Sequence, residues 1–168
     1  IVSLIAIIPM GLAGLFLGDS RIGQPIVYVM GAALVFVQYM VGYIFSAMTV
    51  YLIYGYLSEG DGRMDKAWAI VRRDLWDIAS LAAASTLVNL VKGFIKGRGK
   101  SGLRNMLAGL LETVWTEATY LVLPAMVIED INLKSGLQRA TQIIKNNLLL
   151  VGISTVGVKA VTGLIGFL

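Results

Sequence analysis

Residues 26–58 read IVYVMGAALVFVQYMVGYIFSAMTVYLIYGYLS. This stretch contains no charged side chain over thirty-three residues. As a helix it would be about 50 Å long, which exceeds the roughly 30 Å hydrocarbon core of a bilayer. Helices of water-soluble proteins keep a charged face, and this stretch has none. It therefore predicts an integral membrane protein, and we expect a multi-pass protein of the cell membrane.

The composition supports the same class. The 168 residues are 57% hydrophobic and 14% charged, whereas soluble domains carry about 25% charged residues. The length fits one membrane domain, 1–168, with no room for a separate soluble catalytic domain. The sequence has no Cys and no His, which excludes disulfides, thiol chemistry and most zinc and haem sites. Because nucleotide, nucleophile-elbow and zinc-protease motifs are also missing, we expect neither an enzyme nor a bound cofactor.

The hydrophobic pattern predicts an all-α, polytopic fold. It has four or five membrane-embedded helices and two amphipathic interfacial helices. The membrane segments are 1–17, 26–57, 78–95, 103–127 and 148–168. The interfacial helices are 65–77 and 135–147, and the first has Trp68 and Trp76 close to arginines, which is typical of a headgroup boundary. Because Ile1 already lies in an apolar run, we expect the numbered chain to begin inside a longer sequence.

Two parts of the chain share one plan: an acidic loop, a basic amphipathic helix and an apolar segment. An offset of seventy residues places Glu59 on Glu129 and Asp65 on Ser135. This pattern is either a weak internal repeat, as in many transporters and channels, or a chance similarity between two interfacial helices.

The distribution of basic residues bears on topology. If all five segments cross the membrane, the basic residues divide five against seven between the two sides, which is hardly a positive-inside bias. If the hairpin 78–127 does not cross fully, the division becomes eleven against one. The hairpin is also the least hydrophobic stretch. We therefore expect it to be short, re-entrant or buried in protein, with its basic turn cytoplasmic.

Four ionisable residues lie in apolar segments: Lys92, Glu112, Glu117 and Lys159. Such groups are unfavourable in a membrane unless they are paired or hydrated. An antiparallel hairpin places Glu112 within about one turn of Asn89 and within reach of the flexible Lys92 side chain. This cluster is a structural hydrogen bond or ion pair between two helices, a pore-lining or ion-coordinating site, or a proton relay. For Lys159 the alternatives are a pairing with a glutamate, a polar wall around water, or a position near the interface.

The segment 26–57 carries a weakly polar face, with spacings of three and four residues. Its members are Gly31, Val35, Gln38, Gly42, Ser46 and Thr49. Such a face either lines a water-filled path or packs closely against another helix. Gln38, Ser46 and Thr49 are the pore candidates on it.

Four acidic residues lie beside the ends of membrane segments: Glu59, Asp61, Glu129 and Asp130. Carboxylates of this kind bind divalent cations such as calcium, but compensation of charge at helix N-termini explains the same residues. The basic interfacial helices predict anionic lipids of the bilayer as partners and no nucleic acid.

One stretch resembles a known family. Trp115-Thr116 and TYLVLPAMVIED at 119–130 are followed by GLQRA at 136–140 and KNN at 145–147. This pattern resembles uncharacterised prokaryotic multi-helix membrane proteins and, more distantly, the membrane domain of some glycerophosphodiester phosphodiesterases. Leu148 stands where many relatives have Trp. The resemblance covers about 41–157 and implies a helical membrane fold, but it brings no activity and no catalytic residues.

These features lead to three functional hypotheses. The first is a homo-oligomeric channel or pore for ions or small solutes, because one subunit of this size hardly encloses a conduit. The second is a non-conducting membrane scaffold or lipid-interacting protein. The third is a small transporter built from the two similar units.

Overall fold

The structure is a computed structural model and describes residues 23–97 and 102–147. Those residues form helices and no strand, which confirms the all-α prediction for this part of the chain. The helices are α1 (Gly23–Glu59), α2 (Met64–Arg73), α3 (Leu75–Gly97), α4 (Gly102–Glu129) and α5 (Leu133–Asn146). The predicted segments 1–17 and 148–168 lie outside the described residues.

Two of the described helices are long and apolar enough to cross a membrane. They are Pro25–Glu59 and Leu75–Lys96. Helix α4 has 28 residues but is not among these candidates, because charged residues such as Glu112 and Glu117 interrupt its apolar sequence. By length and composition, the described residues therefore supply two candidate membrane spans.

Asp74 separates α2 from α3. Its backbone, at φ −92° and ψ 13°, ends α2, and its carbonyl accepts the N–H of Ile78 at 2.9 Å. Aspartate competes with the helical backbone in a helix interior but suits a helix start. The interfacial helix therefore ends at Arg73, not at residue 77 as the sequence pattern predicted, and Asp77 belongs to the first turn of α3.

Helix α5 begins two residues earlier than predicted because Asn132 caps it. The Asn132 side chain accepts the backbone N–H of Ser135 at 3.0 Å. Gly136 and Ala140 form the buried face of α5, which packs on α4. A Cβ at Gly136 would lie 2.9 Å from Met126 Cγ, so glycine permits the close approach of the two helices.

The hydrophobic core lies towards the end of the bundle where α1 and α4 terminate. Its largest fully buried members are Ile78 and Leu81 of α3, Val122 and Met126 of α4, and Val71 of α2. Large apolar side chains are exposed at both ends, for example Tyr28 and Phe94 at the opposite end and Leu57 and Trp76 at this one. The buried core thus forms where the amphipathic helices pack on the long helices.

The two similar units share the backbone geometry of their turns. Glu59 ends α1 and is followed by Gly60 with φ 71°, and Glu129 ends α4 and is followed by Asp130 with φ 54°. Both following residues are left-handed, as is common just after a helix. An amphipathic helix comes next in each unit, so the correspondence at an offset of seventy extends from sequence to local conformation.

Candidate functional site

A hydrogen-bonded cluster joins the three long helices. Ser85 of α3 is fully buried, and its Oγ accepts the Trp115 Nε1–H of α4 at 2.9 Å. The same Oγ lies 2.7 Å from the Tyr43 hydroxyl of α1. The Thr119 hydroxyl of α4 lies beside that of Tyr43. We call these four residues the polar junction, and it fixes α1 against the α3–α4 hairpin.

Sequence reasoning missed this junction. It named neither Tyr43 nor Ser85 as a candidate residue. The signal was partly present, because the antiparallel hairpin that brings Lys92 near Glu112 also brings Ser85 near Trp115. The contribution of α1 had no such signal, since Tyr43 is separated from Ser85 by 42 residues.

An open groove runs beside the polar junction between α1 and α4, with a volume of about 350 Å³. Its hydroxyl-bearing residues are Tyr43, Ser46 and Thr49 of α1 and Thr119 and Tyr120 of α4, and Pro124 of α4 also lines it. Two of the pore candidates, Ser46 and Thr49, therefore lie on this groove. The groove presents several hydroxyl groups on otherwise apolar walls.

The weakly polar face of α1 is largely uncovered. Gln38, Gly42, Ser46 and Thr49 are exposed, and a Cβ built on Gly42 would meet no atom within 4 Å. Close packing of these positions on another helix, one of the two explanations for the pattern, is therefore not realised within the described part of the chain.

The structure brings two of the predicted ionisable residues together. Lys92 Nζ lies 2.9 Å from Glu112 Oε1, joining α3 to α4, and their side chains are 22% and 52% exposed. Asn89 is partly buried one turn before Lys92. Glu117 is partly buried further along α4, and Lys159 lies outside the described residues. The Lys92–Glu112 pair thus has the geometry of a bridge between two helices.

Ion pairs tie both amphipathic helices to the ends of the long helices. Lys66 Nζ lies 2.8 Å from Glu59 Oε2, and Arg139 Nε lies 3.0 Å from Glu129 Oε1. The hydrogen bond from Lys66 to Glu59 raises the pKa of that lysine above its usual range. Each glutamate at the end of a long helix is therefore paired with a basic residue of the helix that follows.

Arg73 connects the two units. Its guanidinium contacts Asp74 at 2.6 Å through Nε and Asp130 at 3.1 Å through Nη2. The hydrogen bond to Asp74 is the main cause of a raised pKa for Arg73. Since the Asp74 side chain is only 6% exposed, this contact compensates a carboxylate that is largely removed from solvent.

The proposed calcium site is not assembled in the described part of the chain. No three acidic side chains there converge on a possible metal position. Glu59, Glu129 and Asp130 contact basic side chains instead, and Asp61 lies on the exposed loop before α2. Ion pairing is the observed environment of Glu59, Glu129 and Asp130.

The junction of α2 and α3 exposes aromatic and basic side chains together. Trp76 is 85% exposed and Trp68 is 46% exposed. The Arg72 guanidinium carbon lies 5.9 Å from the centre of the Trp68 ring, which is a cation–π distance. This combination matches the chemistry of a lipid headgroup boundary.

The model of a family of unknown function (DUF6159) matches residues 26–168. The chain belongs to this family. No curated protein and no solved structure matches it. The expected membership of an uncharacterised family is confirmed, whereas no comparison shows a link to glycerophosphodiester phosphodiesterases, so that resemblance stays a prediction from residues 115–147.

The family match includes almost all of the described structure. Helix α1 from residue 26 and all of α2 to α5 fall inside it. The polar junction, the groove and the ion pairs therefore belong to the family domain. Chemically, this domain offers hydroxyl groups between α1 and α4 and charged pairs at the helix ends.

Proposed function

We propose that the protein is a multi-pass membrane protein that assembles into a homo-oligomeric channel or pore for ions or small solutes. The observation that carries this proposal is the uncovered polar face of α1. Gln38, Gly42, Ser46 and Thr49 are exposed on a helix that has no charged residue before Glu59. In a membrane, a polar face of this kind is favourable where it contacts water or another polar face.

The physical argument rests on the carboxamide of Gln38. An amide placed in hydrocarbon without a hydrogen-bond partner costs a few kcal/mol by order of magnitude. A second copy of the chain supplies such a partner, and the open position at Gly42 allows two backbones to approach. Copies arranged around this face would place its hydroxyls and amide along a shared aqueous path.

The conduit would run between subunits. Ile78, Leu81 and Ser85 are fully buried and fill the space between α3 and its neighbours. In this arrangement α1 and α3 cross the bilayer, and α4 is embedded beside them with Glu112 paired to Lys92. Helices α2 and α5 lie at one interface, where their basic residues meet lipid headgroups.

Flux into liposomes tests the channel. Purified protein should give ion flux above that of empty vesicles, and it should be oligomeric in mild detergent. Gln38→Leu should alter the rate or the selectivity, because it removes the amide from the proposed path. Val37→Leu is the matched control, since Val37 is an exposed apolar neighbour that points about 100° away on the helix. A strict monomer without flux under any ion gradient would refute the channel.

A second candidate is a non-conducting scaffold that binds anionic lipids. It is favoured by exposed Trp76 and by Arg72 over Trp68. Native mass spectrometry of protein from bilayers containing phosphatidylglycerol should then show retained anionic lipid. Arg72→Gln should reduce that retention, whereas Lys96→Gln in the last turn of α3, outside both amphipathic helices, controls for a general loss of charge. Equal lipid retention in all three proteins would contradict a site at α2.

A further inference from the structure

Two threonines occupy equivalent positions in the two similar units. Thr49 of α1 and Thr119 of α4 are seventy residues apart, and each lies ten residues before the glutamate that ends its helix. At 1.5 Å per residue this places both about 15 Å from the helix ends, or half the thickness of a hydrocarbon core. Both threonines line the groove between α1 and α4.

The hydroxyl hydrogens of both threonines are already used. Thr49 Oγ1 donates to the Phe45 carbonyl at 2.9 Å, and Thr119 Oγ1 donates to the Thr116 carbonyl at 2.8 Å. A hydroxyl has one hydrogen and two lone pairs. Towards a further partner, therefore, these two oxygen atoms act as acceptors, and the Thr119 oxygen also lies beside the Tyr43 hydroxyl of the polar junction.

Pro124 leaves a third acceptor without its usual donor among the residues that line the groove. Proline has no N–H, so it offers no hydrogen bond to the carbonyl four residues earlier. That carbonyl belongs to Tyr120, and both Tyr120 and Pro124 line the groove. The α4 wall of the groove thus includes Thr119 and a residue whose carbonyl lacks its usual helical donor, and the α1 wall includes Thr49.

We infer that this groove binds a partly dehydrated monovalent alkali cation. Neutral hydroxyl and carbonyl oxygens replace the hydration shell of such ions, as in potassium-selective filters. The described lining contains no acidic side chain, and divalent cations generally require carboxylates. The groove volume of about 350 Å³ leaves room for an ion that keeps part of its hydration shell.

The inference rests on the proposed function, because Ser46 and Thr49 belong both to the polar face of α1 and to the groove. It deepens that function by naming the ion class and the atoms that hold the ion. The aromatic rings of Phe45 and Tyr120 also line the groove and can attract a cation through their π faces.

Thermal unfolding in detergent tests the inference without measuring flux. The midpoint is measured in lithium, sodium or potassium chloride against N-methyl-D-glucamine chloride at constant ionic strength. One alkali ion should raise the midpoint in a saturable way, since a ligand that binds only the folded state stabilises it. In the double variant Thr49→Val and Thr119→Val, the half-saturating concentration should increase about tenfold or more.

Two further variants keep the test decisive. Thr116→Val removes a hydroxyl of α4 that does not line the groove and should leave the cation response unchanged. Pro124→Ala restores an N–H for the Tyr120 carbonyl, so it should weaken the cation response even if the threonine variants do not fold. A midpoint that rises equally in every chloride salt, or a response that Pro124→Ala leaves unchanged, would overturn the inference.

The outcomes for the site and for the channel are separable. Cation-dependent stabilisation without liposome flux would keep the ion site and overturn the channel. Flux without selective stabilisation would keep the channel and overturn the ion site. Stabilisation by calcium in preference to alkali ions would overturn the assignment to monovalent ions.

Discussion

The polar junction gives the sharpest stability prediction, through Ser85→Ala. Ser85 Oγ is the common partner of the Trp115 indole N–H at 2.9 Å and of the Tyr43 hydroxyl at 2.7 Å. Because Ser85 is fully buried, water has no access to replace it. Each such hydrogen bond contributes about 0.5–1.5 kcal/mol, with a mean near 0.6 between membrane helices. The two together give an expected loss of about 1–3 kcal/mol in unfolding free energy.

Thermal unfolding in detergent, followed by tryptophan fluorescence, measures this loss. For a protein of this size each kcal/mol lowers the midpoint by about 2–4 °C, so we expect a decrease of roughly 2–12 °C. Ser80→Ala is the control, because the Ser80 hydroxyl donates to the Asp77 carbonyl of its own helix at 2.6 Å. It should change the midpoint much less.

A double-mutant cycle separates the junction from the general effect of a smaller side chain. Ser85→Ala and Trp115→Phe remove two ends of one hydrogen bond, so their combined effect should be smaller than the sum of the single effects. Strict additivity, or equal midpoints for Ser85→Ala and Ser80→Ala, would refute the reasoning that Ser85 links the helices.

The remaining predictions concern α2, α4 and α5. Gly136→Ala should destabilise the protein by about 1–3 kcal/mol in chemical denaturation because its Cβ would lie 2.9 Å from a methionine side chain of α4. By contrast, Gly109→Ala, with nothing within 4 Å, should be stabilising by up to about 1 kcal/mol. Arg73→Gln should lower the free energy of unfolding by about 1–2 kcal/mol in the same denaturation measurement, because the buried Asp74 carboxylate loses its charged partner. An unchanged free energy would show that water compensates the carboxylate. A hydrogen bond from Arg63 lowers the pKa of Asp65. The stabilising contribution of the Asp65 carboxylate is therefore present above the usual aspartate pKa and is lost as the pH falls through the lowered value. A pH series of unfolding midpoints should show a smaller acid-induced decrease for Asp65→Asn than for the unchanged protein.

The helices themselves could largely be anticipated from local pattern. The uncharged run that became α1 and the two basic amphipathic segments depend on composition and spacing, which a single sequence displays directly. Helix limits were less predictable. Asp74 ends α2 and Asn132 begins α5 at positions that differ from the predicted ones, because a single short polar side chain can set a helix limit that hydrophobic periodicity does not show.

The candidate site was only partly predictable. Lys92 and Glu112 were expected to approach, since a hairpin constrains residues on its two arms, and they form a contact of 2.9 Å. Serine, tyrosine and threonine carry no comparable signal, because each occurs both in packing faces and in loops. The acidic residues were ambiguous for a related reason: a carboxylate binds a metal or an arginine according to which group packing brings near it.

The sequence by itself determined the apolar character of α1, the helical class and the membership of a family, because these properties depend on residues that are close together along the chain. Tertiary structure alone decided that Ser85 would meet Tyr43 and Trp115, which are 42 and 30 residues away. It also left the polar face of α1 uncovered and brought Thr49 and Thr119 to one groove. These outcomes depend on how the helices rotate and approach one another, and that arrangement follows from the packing of all of them together.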